Sequence, residues 1–449
     1  MRTVAIWRGV AALCLMGLVL LIGCRGNEGR LRIVLSADTR GFLEDCGCGP
    51  TPQGGLARRA DLLRRLRTAE STPILLMDGG NLHHVVEDEP HLRAARELVS
   101  VMGRIGYDLA VLGPQDAALK APALREMLNG ASFTWLGGAY RNARPALGLD
   151  TAWVATRGGI TVGVLDTADP GYGPNRLPAD RVDDGLLRRA RLLRPHCDLL
   201  IVAAALDPRG PEVLARELDG LVDVLLVTGA EARSMPQEMG GVWVVSVGDR
   251  GRNLGLLEVE LKRGQALRRS WSLLPVDNSL IEDPHVADQI REHTQREQGL
   301  ERGRRERARL VLLARLGIPS NQLPGNAALA WYQGEKDCRA CHQEQWEAWR
   351  ASPHAGPFAL PPREDGTEDP LARRRLVTGW LEKGGWLSQE ETPHLSGVQC
   401  EACHGRASMH TNTRGELREG LADDPWQSCA ACHDPVPGTG DPHRLHAAP

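Results

Sequence analysis

The sequence carries almost no excess charge of either sign. Its 54 lysine and arginine residues nearly balance 57 aspartate and glutamate residues, so the formal net charge is -3 over 449 residues. A nucleic-acid partner normally requires a basic surface that neutralises phosphates. We therefore expect no nucleic acid among the partners of this protein.

The N-terminus lacks an apolar run long enough to span a membrane comfortably. The run from Gly9 to Gly23 follows Arg2 and Arg8, as the apolar region of a secretory signal follows its charged region, and it is shorter than the roughly 20 residues of a spanning helix. It ends in Leu-Ile-Gly-Cys, which resembles the bacterial lipobox. This resemblance implies that residues 1–23 are a lipoprotein signal peptide and that Cys24 is lipidated. Ordinary cleavage that leaves a free Cys24 is the alternative.

The eleven cysteines do not follow a disulfide pattern. Six fall into three Cys-x-x-Cys-His motifs, and the remaining five are Cys14, Cys24, Cys46, Cys48 and Cys197. This spacing is typical of covalent haem attachment, because two thiols add to one porphyrin and the adjacent histidine becomes the proximal iron ligand. The predicted attachment residues are Cys338, Cys341, Cys400, Cys403, Cys429 and Cys432, and the predicted proximal ligands are His342, His404 and His433.

Residues 331–449 also lack aliphatic periodicity and are rich in His, Pro, Gly and Trp. Such a segment cannot bury an ordinary core, so we expect haem to supply the apolar mass. Histidines outside the motifs are candidate distal ligands of the irons: His354, His394, His410, His443 and His446. Zinc and thiol-redox roles for the motifs are the alternatives.

The same segment resembles the multihaem cytochromes of the c554 type. The resemblance rests on Gly334 to Asp337 before the first motif, on Trp346 and Trp349, on Ser352 to Ala355, and on the residues flanking the second motif as far as His410. It implies that His354 and His410 are distal ligands, to haems other than their neighbours in sequence. We expect His446 and His394 to serve as further distal ligands, and which histidine serves which haem stays open.

The front of the chain alternates apolar runs with segments of helical spacing, which predicts an α/β domain. The predicted strands are residues 31–36, 73–77, 107–112, 133–136, 160–165, 198–204, 223–227 and 242–247, and the predicted helices are residues 56–66, 91–101 and 116–128. Residues 282–316 predict one long helix rich in Arg and Glu.

The residues at three strand ends resemble the motifs of the calcineurin-like metallophosphoesterases, especially the 5'-nucleotidases. They are Asp38 with Arg40, Asp78 with Asn81, and Pro114 with Gln115. The family has histidine at the position of Arg40 and an Asn-His pair at Pro114 and Gln115, and these ligands hold two metals. Arginine and proline cannot replace them, so Asp38, Asp78 and Asn81 are interpreted as a vestigial metal site, and we expect no metal in this domain.

Cys46 and Cys48 flank Gly47 in the loop after the first strand. They are a possible redox or metal pair, with an inert pair or plain disulfide as the alternative. His83, His84 and His91 are candidate helpers in metal binding, and we expect them instead to be solvated.

These observations predict five segments: a signal peptide (1–23), an anchor linker (24–30), a phosphoesterase-like α/β domain of sheets and helices in layers (31–275), a spacer helix and linker (276–330), and a small helical or irregular domain packed on three c-type haems (331–449). We expect an exported, membrane-anchored electron carrier, rather than an enzyme, at the periplasmic or outer-membrane face, with envelope redox donors and acceptors as partners. A haem or Cys-Gly-Cys oxidoreductase and a metal-dependent phosphoesterase are the alternatives.

Overall fold

The computed structural model describes residues 28–45, 52–84, 86–169, 185–206, 210–319, 330–356 and 376–423. The chain forms two compact units that divide between Thr294 and Gln295. Several predicted site residues lie outside the described residues. They are Cys24, Cys46, Cys48, His443, His446 and the third motif with Cys429, Cys432 and His433. In the part of the chain that is described, no helix is long and apolar enough to cross a membrane.

The N-terminal unit contains two six-stranded sheets. The first has the order β12-β11-β1-β2-β3-β4 and the second β5-β6-β7-β8-β10-β9. The strands are β1 (Gly29–Ser36), β2 (Ile74–Asp78), β3 (Leu109–Val111), β4 (Thr134–Leu136), β5 (Trp153–Arg157), β6 (Ile160–Ala168), β7 (Leu199–Ala205), β8 (Val224–Thr228), β9 (Gln237–Met239), β10 (Val242–Val245), β11 (Asn253–Leu261) and β12 (Arg268–Pro275).

Helices cover the outer faces of both sheets. They are α1 (Leu56–Ala69), α2 (Glu89–Ile105), α3 (Pro114–Ala117), α4 (Ala121–Asn129), α5 (Leu187–Leu193) and α6 (Gly210–Glu217). The long helix α7 (Pro284–Leu316) follows the sheets and confirms the helix predicted over 282–316. The result is an α/β/β/α arrangement of layers, which confirms the predicted fold class.

Three apolar clusters hold these layers together. In β7, Leu199 and Ile201 face a core between the two sheets, whereas Leu200 and Val202 face a second core under α5 and α6. The third core joins the outer face of the first sheet to α1, α2 and α4. Because successive side chains of a strand point to opposite faces, a strand buried on both faces must be apolar throughout. This explains why the central strands appear as unbroken apolar runs.

The prediction of a single helix over residues 116–128 is wrong. The structure has a short helix, α3, and a separate helix, α4, with Lys120 as the N-cap of α4 and Pro122 in its first turn. Proline has no N–H and clashes with the carbonyl four residues earlier, so it is tolerated only in a first turn. Four strands, β5, β9, β11 and β12, lie outside the predicted runs. Three of them are short or alternate exposed and half-buried residues, and β11 is an apolar run that the prediction missed.

The sheets place one set of loops together. Strands β1, β2, β3 and β4 run parallel, and so do β6, β7, β8 and β10. The carboxyl ends of parallel strands meet at one edge of a sheet, where ligands of α/β proteins bind. The loops after β1, β2, β3 and β8 therefore converge, and they carry Asp38, Asn81 and Gln115.

The C-terminal unit contains the part of α7 from Gln295 onward and, after it, short elements. They are α8 (Glu335–Arg339), α9 (Gln343–Arg350), α10 (Cys400–His404), α11 (Ser408–Asn412) and single 3-10 turns at Pro353–Ala355 and Pro393–Leu395. Its described residues do bury a small apolar cluster, formed by Leu313, Tyr332, Trp380, Leu381, Trp386 and Leu395. The expectation that this segment has no core of its own is therefore too strong, because widely spaced aromatic residues provide one.

Replacement of Ile201 by alanine tests the core between the sheets. Ile201 is fully buried, so loss of its side chain leaves a cavity and should lower the free energy of unfolding by about 2–5 kcal/mol. The urea midpoint of the N-terminal unit, followed by far-UV circular dichroism, measures this loss. As a matched control, Leu192→Ala removes a side chain that is 67% exposed and should change stability by less than about 0.5 kcal/mol. Equal losses in the two variants would contradict this packing.

Candidate functional sites

Asp38 and Asn81, two of the three residues interpreted as a vestigial metal site, meet at the carboxyl edge of the sheets. Asp38 is almost fully buried, and both oxygens of its carboxylate accept hydrogen bonds. Oδ1 accepts from Nδ2 of Asn81 at 2.8 Å, and Oδ2 accepts from the backbone N–H of Gly229 at 2.6 Å. A guanidinium nitrogen of Arg40 lies 3.6 Å from Oδ1. Burial raises the pKa of Asp38, while these hydrogen bonds and the Arg40 charge oppose that rise.

Asn81 likewise forms hydrogen bonds within the protein through both its side chain and its backbone N–H. Its Oδ1 accepts from the backbone N–H of Gln115 at 3.0 Å, and its own N–H donates to Asp116 at 2.8 Å. Asp116 also accepts from the N–H groups of Gly113 and His83. Its carboxylate therefore fixes the turns after β2 and β3, a role that sequence reasoning missed.

Asp78 belongs to a separate buried network. Ser36 Oγ donates to Asp78 Oδ2 at 2.5 Å and lies 2.8 Å from the hydroxyl of Tyr107, to which Arg59 donates at 3.3 Å. Burial raises the pKa of Asp78 to about 6, and the Ser36 hydrogen bond is the largest opposing contribution. Arg59 is 1% exposed, so its positive charge is desolvated close to this carboxyl group. Asp78 thus joins the end of β2 to the end of β1 through Ser36.

The described residues contain no group of three or more His, Cys, Asp or Glu side chains arranged to hold a metal ion. The oxygens of Asp38 and Asn81 already accept hydrogen bonds, and Arg40 brings a positive charge to the same place, so a divalent cation does not fit here. His83 is buried rather than solvated, contrary to expectation, and burial lowers its pKa to about 4. His84 and His91 stack with ring centroids 4.4 Å apart.

In the C-terminal unit, each of the two described Cys-x-x-Cys-His motifs forms one helical turn. His342 N–H donates to the carbonyl of Cys338 at 3.0 Å, and the second motif coincides with α10. Cysteines three residues apart and a histidine one residue later share one face of such a turn. The thiols of Cys338, Cys341 and Cys400 form no disulfide. The donor set and its spacing therefore fit covalent haem attachment.

The two motifs lie side by side. Cys338 and Cys400, which belong to different motifs, lie close enough to perturb each other's thiol. This contact raises the pKa of Cys338 and lowers the pKa of Cys400. Two attachment sites are consequently adjacent in space although 62 residues separate their first cysteines along the chain.

His342 and His410 also come together. Their ring centroids are 6.3 Å apart and their planes lie 17° from parallel. His394 contacts the segment before the first motif, where its Cδ2 atom lies 3.5 Å from the position of a Cβ built on Gly334. His354 is half-buried next to Gly397, before the second motif. All three described candidate distal histidines are therefore in the same unit as the motifs.

Glu401, inside the second motif, organises this unit. It is 2% exposed, and its carboxylate accepts from the backbone N–H groups of Gln333, Gly334 and Ala407 at 2.7–2.8 Å. Burial raises its pKa, against the effect of these donors. The variable positions of the motif carry no signal for such a role, so sequence reasoning missed it.

Gln399 makes a similar connection next to Glu401. Its Oε1 accepts from Glu335 N–H at 2.8 Å, and its Nε2 donates to the carbonyls of His394 and Ser396. Gln399 and Glu401 together join the first motif, the second motif and the segments of His394 and His410.

Comparisons with known proteins agree with this division. Residues 337–405 match the sequence model of the family described as cytochrome c554 and c-prime. This segment is therefore similar to the cytochromes of the c554 family. A cytochrome c-554 from Nitrosomonas europaea is 32% identical over 125 residues, which cover 24% of this chain and 51% of the relative. The chain thus spans about half the length of this curated relative. The predicted resemblance of the C-terminal region is confirmed, and c-type haem is the cofactor that this family implies.

The N-terminal unit is similar to solved nucleotidase structures. A 5'-nucleotidase precursor from Thermus thermophilus has a TM-score of 0.51 and 23% identity over 60% of this chain and 59% of that one. Sulfate thiohydrolase SoxB from Thermus thermophilus has a TM-score of 0.50 and 16% identity over 60% of this chain and 61% of that one. The NAD nucleotidase of Haemophilus influenzae has a TM-score of 0.50 and 12% identity over 62% of this chain and 61% of that one. These likenesses establish the fold and confirm the resemblance to this group of phosphoesterases.

Conversion of Glu401 to glutamine tests its organising role. The amide would present an N–H group to backbone N–H donors and leave at least one of them unpaired, so we expect a loss of about 1–3 kcal/mol in the stability of the C-terminal unit. Thermal unfolding of the full chain, followed by haem absorbance, measures this loss. The exposed residue Glu390 provides the control variant Glu390→Gln, which should unfold at the wild-type temperature. An unchanged midpoint for Glu401→Gln would show that the three N–H contacts are dispensable.

Proposed function

We propose that this protein is an exported, lipid-anchored c-type cytochrome with three haems, which transfers electrons in the bacterial cell envelope. The observation that carries this proposal is the adjacency of two Cys-x-x-Cys-His motifs, which the hydrogen bonds of Gly334 to Glu401 and of Glu335 to Gln399 hold together. When bound, each haem supplies a one-electron iron couple. Cys429, Cys432 and His433 would hold the third.

The pair of His342 and His410 supports six-coordinate iron at the first motif. Two imidazoles that coordinate opposite faces of one iron, each about 2 Å away, have centroids about 6 Å apart, and the observed separation is 6.3 Å. His342 and His410 would therefore hold the iron of the first haem together, with His410 as its distal ligand. His354, His394 and His446 are the candidates for the distal positions of the other two haems. Iron whose six coordination positions are all filled favours electron transfer over binding of a small substrate.

The order of the chain supports attachment at a membrane surface. Cys24 would carry the lipid. Along the sequence, the phosphoesterase-like unit lies between Cys24 and the haem-binding residues. The partners would be donor and acceptor proteins of the envelope, which must approach the haems closely. We propose that the N-terminal unit serves these partners as a docking module and is catalytically inactive, because Arg40 and the hydrogen-bonded Asp38 and Asn81 leave no dimetal site.

Replacement of His410 by alanine tests the assigned iron ligation. One low-spin iron should become high-spin, while the other two remain unchanged, because only one ligand pair is broken. Electron paramagnetic resonance of the oxidised protein measures this change. The exposed histidine His196 in the N-terminal unit supplies the control His196→Ala, which should retain the wild-type spectrum. A wild-type protein that already contains high-spin iron at the first motif would contradict the proposal and favour the oxidoreductase alternative.

The number of haems is tested by removing the third attachment site. A double replacement of Cys429 and Cys432 by serine should lower the ratio of covalent haem to protein from three to two, since serine hydroxyls do not form thioether bonds. Pyridine haemochrome absorbance and intact-protein mass spectrometry measure this ratio. The buried cysteine Cys197 lies outside every motif, so Cys197→Ser should retain three. A wild-type ratio of two would exclude haem at the third motif.

A further inference from the structure

The parallel strands of both sheets begin at one end of the N-terminal unit, which we call the amino edge. Arg30 N–H, at the start of β1, donates to the carbonyl of Gly158, in the turn before β6, at 2.9 Å, so the two sheets begin side by side. Gly29 of β1 pairs with Leu261 at the end of β11. The turn between β11 and β12, residues 262–267, therefore lies at the same end, opposite to the carboxyl edge.

The helices that follow β1 and β2 also end at the amino edge. A helix that connects two parallel strands must run back across the sheet. The contacts agree with this direction, because Arg32 in β1 donates to the carbonyl of Leu66 in α1 at 3.4 Å, and Arg67 in α1 donates to that of Ile105 in α2 at 2.8 Å. The last turns of α1 and α2 thus bring further arginines to this edge.

The proposed lipid would be attached close to the amino edge. Gly29, where β1 begins, is five positions after Cys24, and an extended chain spans at most about 3.6 Å per residue. Cys24 can therefore lie no more than about 18 Å from the start of β1. The start of β1 is thus the part of the unit that a lipid on Cys24 would hold nearest to the membrane.

The carboxylates around the start of β1 are matched by arginines. Glu260 lies 2.7 Å from Arg30, while Glu258 and Glu70 lie 3.0 Å and 2.7 Å from Arg32. Each of these carboxylates has a cationic neighbour at ion-pair distance. The field of this cluster is therefore largely cancelled, and the sign of the edge depends on the side chains around it.

Within the described residues, two arginines at this edge are bonded to carbonyls rather than to carboxylates. Arg67 donates to the carbonyl of Ile105, and Arg269 donates to the carbonyls of Asp223 and Gly241. A carbonyl oxygen accepts a hydrogen bond but carries no formal charge. Both arginines therefore make the edge more positive.

The turn between β11 and β12 carries a second group of basic side chains. Lys262, Arg263 and Arg268 are exposed, and residues 262–269 include no acidic residue. Lys262 lies 3.3 Å from Glu260. Basic residues often complement the C-terminal end of a helix, but this turn joins two strands, so no helix accounts for its charge.

The carboxyl edge differs from the amino edge, because its exposed charges are of both signs. The whole chain has a formal net charge of -3, so a basic composition does not explain the positive turn. An anionic surface would therefore attract the amino edge more strongly than the carboxyl edge. Exposed charged residues in the loops of the carboxyl edge include Glu44, Asp88, Glu231, Lys120, Arg141 and Arg233.

We propose that the amino edge binds a membrane surface of anionic phospholipids through Lys262, Arg263 and Arg268. The inference rests on the lipid anchor proposed above and adds an orientation to it, because a lipid alone would leave the unit free to turn on its tether. Each basic side chain close to an anionic membrane strengthens binding about fivefold. The carboxyl edge and its loops are then held on the side away from the membrane.

Binding of the unlipidated protein to vesicles tests this surface. The haem-loaded chain from Arg25 onward, exported on a leader that is cleaved without lipidation, is sedimented with vesicles of phosphatidylcholine that contain about one-third phosphatidylglycerol. We expect binding at low salt that weakens at least about tenfold in about 0.5 M NaCl, since salt screens charges at a surface. Vesicles of phosphatidylcholine alone should not bind the protein.

A triple variant tests the turn itself. Lys262→Gln with Arg263→Gln and Arg268→Gln should weaken binding to the anionic vesicles by about tenfold or more, because three charges leave the surface. The matched control removes three exposed charges from the carboxyl edge and should bind as the wild type does. Its substitutions are Lys120→Gln, Arg141→Gln and Arg233→Gln.

Three results would overturn the proposal. They are no binding of the wild-type protein to anionic vesicles, which would leave the turn to an acidic protein partner, equal binding to both kinds of vesicle, and equal binding by the two triple variants. The wild-type result decides the matter even if a variant does not fold.

Mass spectrometry of the natural protein, extracted from its membrane, separates this proposal from the proposed anchor. It shows whether Cys24 carries a lipid. An unlipidated Cys24 together with binding to anionic vesicles would refute the anchor and retain the basic surface. A lipidated Cys24 without vesicle binding would retain the anchor and refute the basic surface.

Discussion

The carboxylate of Asp38 connects the two sheets of the N-terminal unit at their carboxyl edges. It follows β1 of the first sheet and accepts from Gly229, which follows β8 of the second, although 191 positions separate the two residues. A buried carboxylate is stable only when its oxygens accept hydrogen bonds. Asp38 meets this need with Gly229 and Asn81, and the need explains why the loops after β1, β2 and β8 are held so closely together.

The same constraint determines which chemistry the edge can perform. A carboxylate that must satisfy two N–H donors has little capacity left for a cation, and Arg40 occupies the neighbouring space with a charge of the wrong sign for metal binding. The fold shared with nucleotidases is retained because its stability comes from three apolar cores, and none of these depends on the metal ligands. Retention of the scaffold therefore does not depend on metal chemistry.

The C-terminal unit depends on a comparable buried acid. Glu401 joins segments that are far apart in sequence, because its carboxylate accepts hydrogen bonds from three backbone N–H groups. The aromatic cluster around Trp380 and Trp386 adds a limited buried apolar area. Short helices of five to eight residues have little stability of their own. Their positions are consequently set by these few polar contacts and by the small apolar cluster.

The sequence by itself determined the local chemistry of this protein. The three Cys-x-x-Cys-His motifs, the long helix over 284–316 and the central strands were all predictable, because each depends on spacing within a few residues or on unbroken apolar runs. The break between α3 and α4 was also readable in principle from Pro122. Edge strand β12, by contrast, pairs with β11 through residues of mixed polarity, and so its pattern is weak.

Only the tertiary structure decided which distant residues meet. Contacts of His342 with His410, of Cys338 with Cys400 and of Glu401 with Gly334 join segments more than 60 residues apart. The convergence of Arg40, Arg250 and Arg252 on Asp249 is of the same kind. Sequence spacing fixes the neighbours of a residue along the chain, whereas contacts between loops depend on the order and direction of the strands, and those follow from packing of the whole unit.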